Sequence, residues 1–295
     1  MLKSLITKIG VAGCILCSGC IRDDLSNCPP SVFRAKLYVK LDVQAKAAAT
    51  RPYPVREGLL FIFDKDGRLV KQQRIAGNTI QQQQPIELEY PTRDSITVVI
   101  WGNQDDTRET FSIPDEPALA ACRLLLTRNG EYVNFPSDLF HGITRLACDE
   151  PDEERIQTVT LCRSVGSVAI TCYDMDQGLG ESDIRFRLKH TPEGLDFHGK
   201  SGGEAVDYRF DPRPEILHGK KAWYSGIRNL LPCSIKQQMT LDILRDGKVI
   251  HSEPLPAKAA ANQTMNIVIY IATTSLSVHV VVKPWGEVIN QTIIW

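Results

Sequence analysis

The chain has 295 residues, with 34 Lys and Arg against 35 Asp and Glu, a net charge of −1 at pH 7, 43% hydrophobic and 23% charged residues. That length suits two domains of ordinary size, and the balance of apolar and charged residues excludes a chain disordered throughout. Near-neutral charge leaves no basic footprint, so nucleic acid is excluded as the expected partner.

The N-terminus is basic at Lys3 and Lys8, apolar from Ile9 to Cys17, then small at Ser18-Gly19 before Cys20. That order is a secretory signal. With Cys directly after the small pair, it looks like a bacterial lipoprotein signal: residues 1–19 are removed and Cys20 is acylated. Three acyl chains, at about 0.8 kcal/mol per buried methylene, hold a protein on a membrane essentially permanently. Two rival readings are weaker. Cys14, Cys17 and Cys20 have iron–sulfur spacing but lie in the segment expected to be removed, and an uncleaved membrane helix would need about 20 apolar residues where about a dozen are present. Without Lys3 and Lys8 the chain keeps 32 basic against 35 acidic side chains, a net charge near −3. No second apolar run approaches spanning length, so the body is expected to be soluble and outside the cytoplasm.

Residues 20–31 read as a lipidated tether, polar and Pro-bearing, with Arg22-Asp23-Asp24 and Pro29-Pro30. Beyond it, Lys36 to Val43 alternates, with Leu37, Val39, Leu41 and Val43 on one face of a strand. Gly58 to Phe63, a turn at Asp64-Lys65-Asp66-Gly67, and Arg68 to Ile75 predict a hairpin. Ile86 to Tyr90 and Ser95 to Trp101 predict two more strands. Leu, Ala and Arg at helical spacing predict a short helix over 117–128, with Leu139 to Gly142 in a loop.

The run Asp149-Glu150-Pro151-Asp152-Glu153-Glu154 repels itself and stays solvated, which sets a domain boundary near residue 155. Strands are expected over 157–162, 167–173, 183–189, 205–210, 240–245, 248–252, 265–271 and 276–282, with a two-residue turn at Asp246-Gly247 and an apolar extended run from Val288 to Trp295. Many short strands separated by Gly and Pro turns predict an all-β chain of two tandem β-sandwiches with one short helix, the first over 32–155 and the second over 156–295.

Motifs for catalysis are absent. Six histidines stand singly, with no pair at ligand spacing on one element, and there is no nucleophile elbow, phosphate loop or dinucleotide fingerprint. The chain is therefore expected to be non-catalytic, with no cofactor and no metal. Asp64-x-Asp66-Gly67 and Asp174-x-Asp176-x-Gly178 resemble calcium loops only faintly, lacking a third ligand and a distal Glu, and read as backbone turns. Trp101 and Trp285 are expected to be buried sandwich aromatics. Past Cys20, the cysteines Cys28, Cys122, Cys148, Cys162, Cys172 and Cys233 permit three disulfides in fifteen pairings, or none if they are buried as small hydrophobes.

Taken together, several segments resemble the FimB-like fimbrial anchor and assembly lipoproteins of Bacteroides-type bacteria, which serve type V fimbriae. They are the lipid-site segment with Asp23-Asp24-Leu25-Ser26 and Cys28-Pro29, then Leu60 to Asp64 with Asp66-Gly67, Val98 to Asn103, Leu139 to Gly142, Val159 to Arg163, and Val278 to Trp285. Cys162, at a position expected to be polar, and the stretch Val165 to Ser167 depart from the pattern. The resemblance implies transthyretin-like sandwiches, an outer-membrane lipid anchor facing the cell surface, and a fimbrial stalk subunit as partner, with the anchor holding the filament and limiting its length. It also implies that Arg22, Asp23 and Asp24 form a surface-export signal. Filaments of this class resemble others built by strand donation, for which Val288, Ile289, Thr292, Ile293, Ile294 and Trp295 form the candidate donor; an ordinary edge strand is the alternative. Other roles for the whole chain are a surface lipoprotein that binds glycan or host protein, for which Trp223, Tyr224 and Tyr53 are the available aromatics, and an accessory or tip subunit of the same fimbria.

Overall fold

The computed structural model describes residues 33–42, 55–90, 94–147, 155–173, 184–217, 219–233, 238–271 and 276–287. Its elements begin with β1 (Phe33–Leu41), β2 (Glu57–Phe63), β3 (Leu69–Ala76), α1 (Gly77–Gln81), β4 (Ile86–Tyr90), β5 (Ile96–Gly102), β6 (Glu109–Ser112), β7 (Arg123–Leu126), β8 (Arg128–Asn129), β9 (Tyr132–Val133) and β10 (Phe140–Leu146). They continue with β11 (Arg155–Arg163), β12 (Gly166–Tyr173), β13 (Ile184–Asp196), β14 (Ser201–Phe210), β15 (Arg213–Leu217), β16 (Lys220–Leu230), β17 (Thr240–Arg245), β18 (Lys248–Pro254), β19 (Gln263–Ile271) and β20 (Leu276–Pro284). The all-β class is as expected, and among the described residues there is one short helix.

Seven strands form one sheet in the order β3-β2-β5-β10-β11-β1-β4. β10 and β11 pair at only two positions, Phe140 with Arg163 and His141 with Cys162. Beyond these the two flanks diverge, so one face of the sheet closes on itself around Leu37, Val39, Leu60, Ile62, Ile100 and Leu161. At the tight end, a side chain on Gly142 would meet the Thr160 carbonyl oxygen at 2.7 Å, so only Gly lets β10 approach β11. The edge of this core is set by alternation: in β1, Ala35, Leu37 and Val39 are buried while Arg34 and Lys40 are exposed.

A larger core lies between a five-stranded sheet, β15-β16-β12-β19-β20, and a six-stranded one, β18-β17-β13-β7-β6 with β14 on β13. The opposite face of β2 and β5 joins it through Phe61, Phe63, Val99 and Trp101. Phe61 sits edge to face with Phe111 at 5.0 Å and with Phe197 at 4.9 Å. Sheet membership does not divide at residue 155. β11, which starts at Arg155, belongs to the seven-stranded sheet, and β6 and β7 from the first half sit in the six-stranded sheet.

Two local expectations are corrected. Residues 117–128 hold no helix: the peptide groups of Pro117 and Leu119 bond to Leu69 and Gly67, extending the β2–β3 hairpin edge, and 123–126 form β7 between β6 and β13. Ladder partners and the period-two burial of Leu124 and Leu126 override the helical spacing. The helix is instead α1, where a side chain on Gly77 would collide with the Arg56 carbonyl oxygen at 2.1 Å. Leu139 to Gly142 is not wholly a loop, because β10 begins at Phe140.

Candidate anchoring joint at the end of the sheets

Strand β11 carries Val159, Leu161 and Arg163 on its inward side, so its last inward position places a guanidinium where a hydrophobe would stand. Arg163 is 4% exposed. Its Nε donates to Asp138 Oδ1 at 2.6 Å, its Nη2 to Asp138 Oδ2 at 3.2 Å, and its Nη1 to Asn262 Oδ1 at 2.8 Å. Its guanidinium also lies 4.2 Å from the Trp285 ring centroid and 5.0 Å from that of Phe140. A bidentate pair with stacked faces is a job that Arg performs and Lys does not.

This cluster joins four pieces of chain: the end of β11, the loop carrying Asp138, the loop carrying Asn262, and the end of β20. Backbone bonds reinforce it, from Ser164 N–H to the Leu139 carbonyl at 2.8 Å and from Asn262 N–H to the Val165 carbonyl at 2.9 Å. Trp285 is half-buried under the guanidinium rather than wholly inside a sandwich, whereas Trp101 is fully buried. Beyond Trp285 the chain is pinned again. Gly286 N–H donates to Thr264 Oγ1 at 2.9 Å, that oxygen is 2.8 Å from Ser167 Oγ, and Asn266 Nδ2 donates to the Glu287 carbonyl at 3.2 Å. Gly286, with φ +79°, supplies the left-handed turn.

Two buried carboxylates brace the six-stranded sheet, Glu109 on β6 and Asp242 on β17. Burial pushes the Glu109 carboxyl up; it accepts from the N–H and hydroxyl of Ser137 and from Asp105 N–H, tying the start of β6 to the loop before Asp138. Burial also opposes ionisation of Asp242, but hydrogen bonds from Ser252, Arg187 and Lys189 outweigh it and hold the carboxyl below its usual range. Neither group faces a nucleophile or metal ligand set, and among the described residues no three His, Cys, Asp or Glu side chains converge as metal ligands.

Other residues marked out by the sequence fall separately. Cys20, Arg22, Asp23, Asp24, Tyr53, the turn at 174–178 and the candidate donor Val288, Ile289, Thr292, Ile293, Ile294 and Trp295 lie outside the described residues. Asp64 Oδ1 accepts from the Asp66 and Arg68 N–H groups at 3.0 and 2.8 Å, so that turn uses its carboxylate on its own backbone. Cys122 and Cys172 are buried, Cys162 is exposed, and Cys233, pushed up to about 11 by burial, is half-buried; Cys122, Cys162 and Cys233 are free thiols. His141 is pushed down by burial and its Nε2 lies 3.1 Å from the Phe197 carbonyl oxygen. Trp223 and Tyr224 project from opposite faces of β16, so they do not make one aromatic shelf. A cleft of about 620 Å³ near the start of β2 is lined by side chains of both signs, including Arg56, Glu57, Arg74 and Asp106. The Arg163 joint was missed by sequence reasoning, although an Arg at i+4 from Val159 on a buried alternation was its signal.

The sequence of residues 25–291 matches the family of fimbrillin-A associated anchor proteins Mfa1 and Mfa2. The chain is 26% identical to the major fimbrium anchoring subunit FimB of Porphyromonas gingivalis over 92% of each chain. Among solved structures it resembles the fimbrial anchor protein Mfa2 of Porphyromonas gingivalis, with a TM-score of 0.62 and 14% identity over 86% of this chain and 98% of that one. A protein of Bacteroides thetaiotaomicron aligns with a TM-score of 0.63 and 17% identity over 85% of this chain and 96% of that one. These two structures share the fold, and the family match over residues 25–291, which includes the Arg163 joint, shows that the chain belongs to the fimbrial anchor family of Mfa1 and Mfa2.

Proposed function

We propose that this chain is a non-catalytic, lipid-anchored subunit of the outer membrane that attaches a fimbria to the cell surface and limits its length. The observation that carries the reading is the family match over residues 25–291 together with similarity to FimB along nearly the whole of both chains. Cys20 is the acylated residue, 20–31 the tether, and Arg22, Asp23 and Asp24 the signal that sends the lipoprotein to the outer leaflet. A fimbrial stalk subunit is the partner. Residues 288–295 are the segment available for strand donation to it, backbone hydrogen bonds supplying affinity and alternate side chains the register.

A load between tether and filament passes through the joint. The tether enters β1, β1 pairs in parallel with β11, and β11 leads past Arg163 into β12, the central strand of the five-stranded sheet. The reading is tested by comparing cells carrying Cys20→Ala with wild type. Filaments shed into the medium are expected; filaments that remain attached and of normal length would sink it. Deleting residues 288–295 tests donation separately, since a truncated protein that folds and still retains filaments rules donation out.

A further inference from the structure

One turn of the six-stranded sheet grips the seven-stranded sheet by a polar contact as well as an apolar one. Residues 197–200 link β13 to β14. Phe197, fully buried, sits on the large-core face of β2 and β5, its ring centroid 4.9 Å from that of Phe61, 5.9 Å from Phe63 and 6.1 Å from Trp101. The polar contact is His141, at one of the two positions where β10 pairs with β11. Its half-buried ring lies 4.6 Å from the Trp101 ring, and its Nε2 donates to the Phe197 carbonyl oxygen at 3.1 Å. The other ring nitrogen faces Gly199, where a side chain would meet Nδ1 at 2.8 Å. Gly199, at φ +78°, supplies both the left-handed turn and this close approach. A neutral imidazole carries one N–H and an imidazolium two. The site offers an acceptor to Nε2 and presents a carbon to Nδ1, so it fits the neutral ring.

We propose that His141 is an acid-sensitive clasp between the two sheets: as a neutral ring it fastens the 197–200 turn to β10, and a second ring proton releases the turn. Two features set it apart from a merely structural histidine. First, a proton on Nδ1 would point at the Gly199 backbone carbon, and a buried N–H without an acceptor is costly. Second, the groups around the ring do not rescue the cation. On the turn, Asp196 attracts a proton to His141, but its Oδ1 already accepts from the His198 and Lys200 N–H groups at 2.9 Å each. His198 opposes the charge, and Lys200 is a further cation on the same turn. Trp101 on β5 is uncharged, and Cys162 on β11, the ladder partner of His141, has a thiol that burial and Asp42 push up, so it stays neutral. Burial therefore outweighs the pull of the Phe197 carbonyl and Asp196 and holds His141 below the ordinary value of 6.5. The clasp's contribution is fully present above that pH and is lost as pH falls through the lower folded value.

The clasp belongs to the fold and stands whether or not a filament is attached. Hydrogen–deuterium exchange of the full-length protein at about pH 7.5 and about pH 5, corrected for the intrinsic pH dependence of exchange, reads it in a peptide spanning 194–201. There the Gly199 N–H is bonded to the Asp196 carbonyl at 2.8 Å. Protection is expected to fall about ten-fold on acidification, the equivalent of one pKa unit. His141→Gln, which keeps a donor for Phe197 but cannot titrate, should abolish that fall, whereas His198→Gln should keep it. Protection that is the same at both pH values in wild type, or that falls equally in His141→Gln, would overturn the proposal. Should His141→Gln fail to fold, an NMR titration of the wild-type ring decides: a midpoint for His141 below 6.5 supports the clasp, and one at or above 6.5 overturns it.

Discussion

Strands β1 and β12 both sit inside sheets, but their surroundings are opposite. β1 alternates buried and exposed residues and carries Arg34, Lys36 and Lys40 on its open side, whereas the eight residues of β12 are all buried and none is charged. The difference teaches how many layers each sheet supports: one face of the seven-stranded sheet at β1 is finished by water, while the five-stranded sheet at β12 is covered on both.

The sharpest way to break this comparison is Ala169→Glu. An unpaired charge placed on the outer face of β12 is expected to cost about 3–5 kcal/mol, seen as a large drop in the urea midpoint. If it costs no more than a surface change, that face is open to water. Of similar size is Arg163→Ala, which strands Asp138 and removes the guanidinium between Phe140 and Trp285. A loss of about 3–5 kcal/mol is expected, with Arg163→Lys recovering little of it because Lys cannot make the bidentate pair.

Next come Leu60→Ala and Phe61→Ala, adjacent residues of β2 that enter different cores. Losses of about 2–5 and 3–5 kcal/mol are expected. Because β2 and β5 serve both cores, each variant should shift one common unfolding transition. Two transitions, of which Leu60→Ala moves only one, would show that the cores melt independently.

A smaller effect is electrostatic. The folded protein holds Asp242 below the ordinary carboxylate value of 3.8, so its contribution is fully present above that pH and is lost as pH falls through the lower folded value. Asp242→Asn should lower stability at neutral pH and flatten the acid limb of a stability–pH curve; an unchanged acid limb would contradict the role given to Arg187, Lys189 and Ser252. The smallest effect belongs to Lys40→Glu on the open face of β1, within about 0.5 kcal/mol.

Much of this arrangement was legible in the sequence where physics acts locally. Alternation placed β1 and the Asp64–Gly67 hairpin, and Asp246-Gly247 placed the β17–β18 turn. What was hidden depended on distant partners. β7 reads as helical until β6 and β13 bond to it. β16 loses its period at Ser225 and Gly226, where the pairing with β12 shifts register and Ser225 Oγ accepts from Ile170 N–H. Arg163 gains its meaning only from Asp138, Asn262 and Trp285, which are scattered along the chain. The proposed lipid site, by contrast, rests only on the order of residues before Cys20, a local pattern that needs no fold to be read.

The most direct test of the central claim is electron microscopy of cells from which this chain is deleted, scoring fimbriae attached per cell and their length. The account predicts few attached filaments and long ones free in the medium, with both restored when the wild-type chain is supplied. Filaments that stay attached at normal length in its absence would contradict the claim that this protein anchors them.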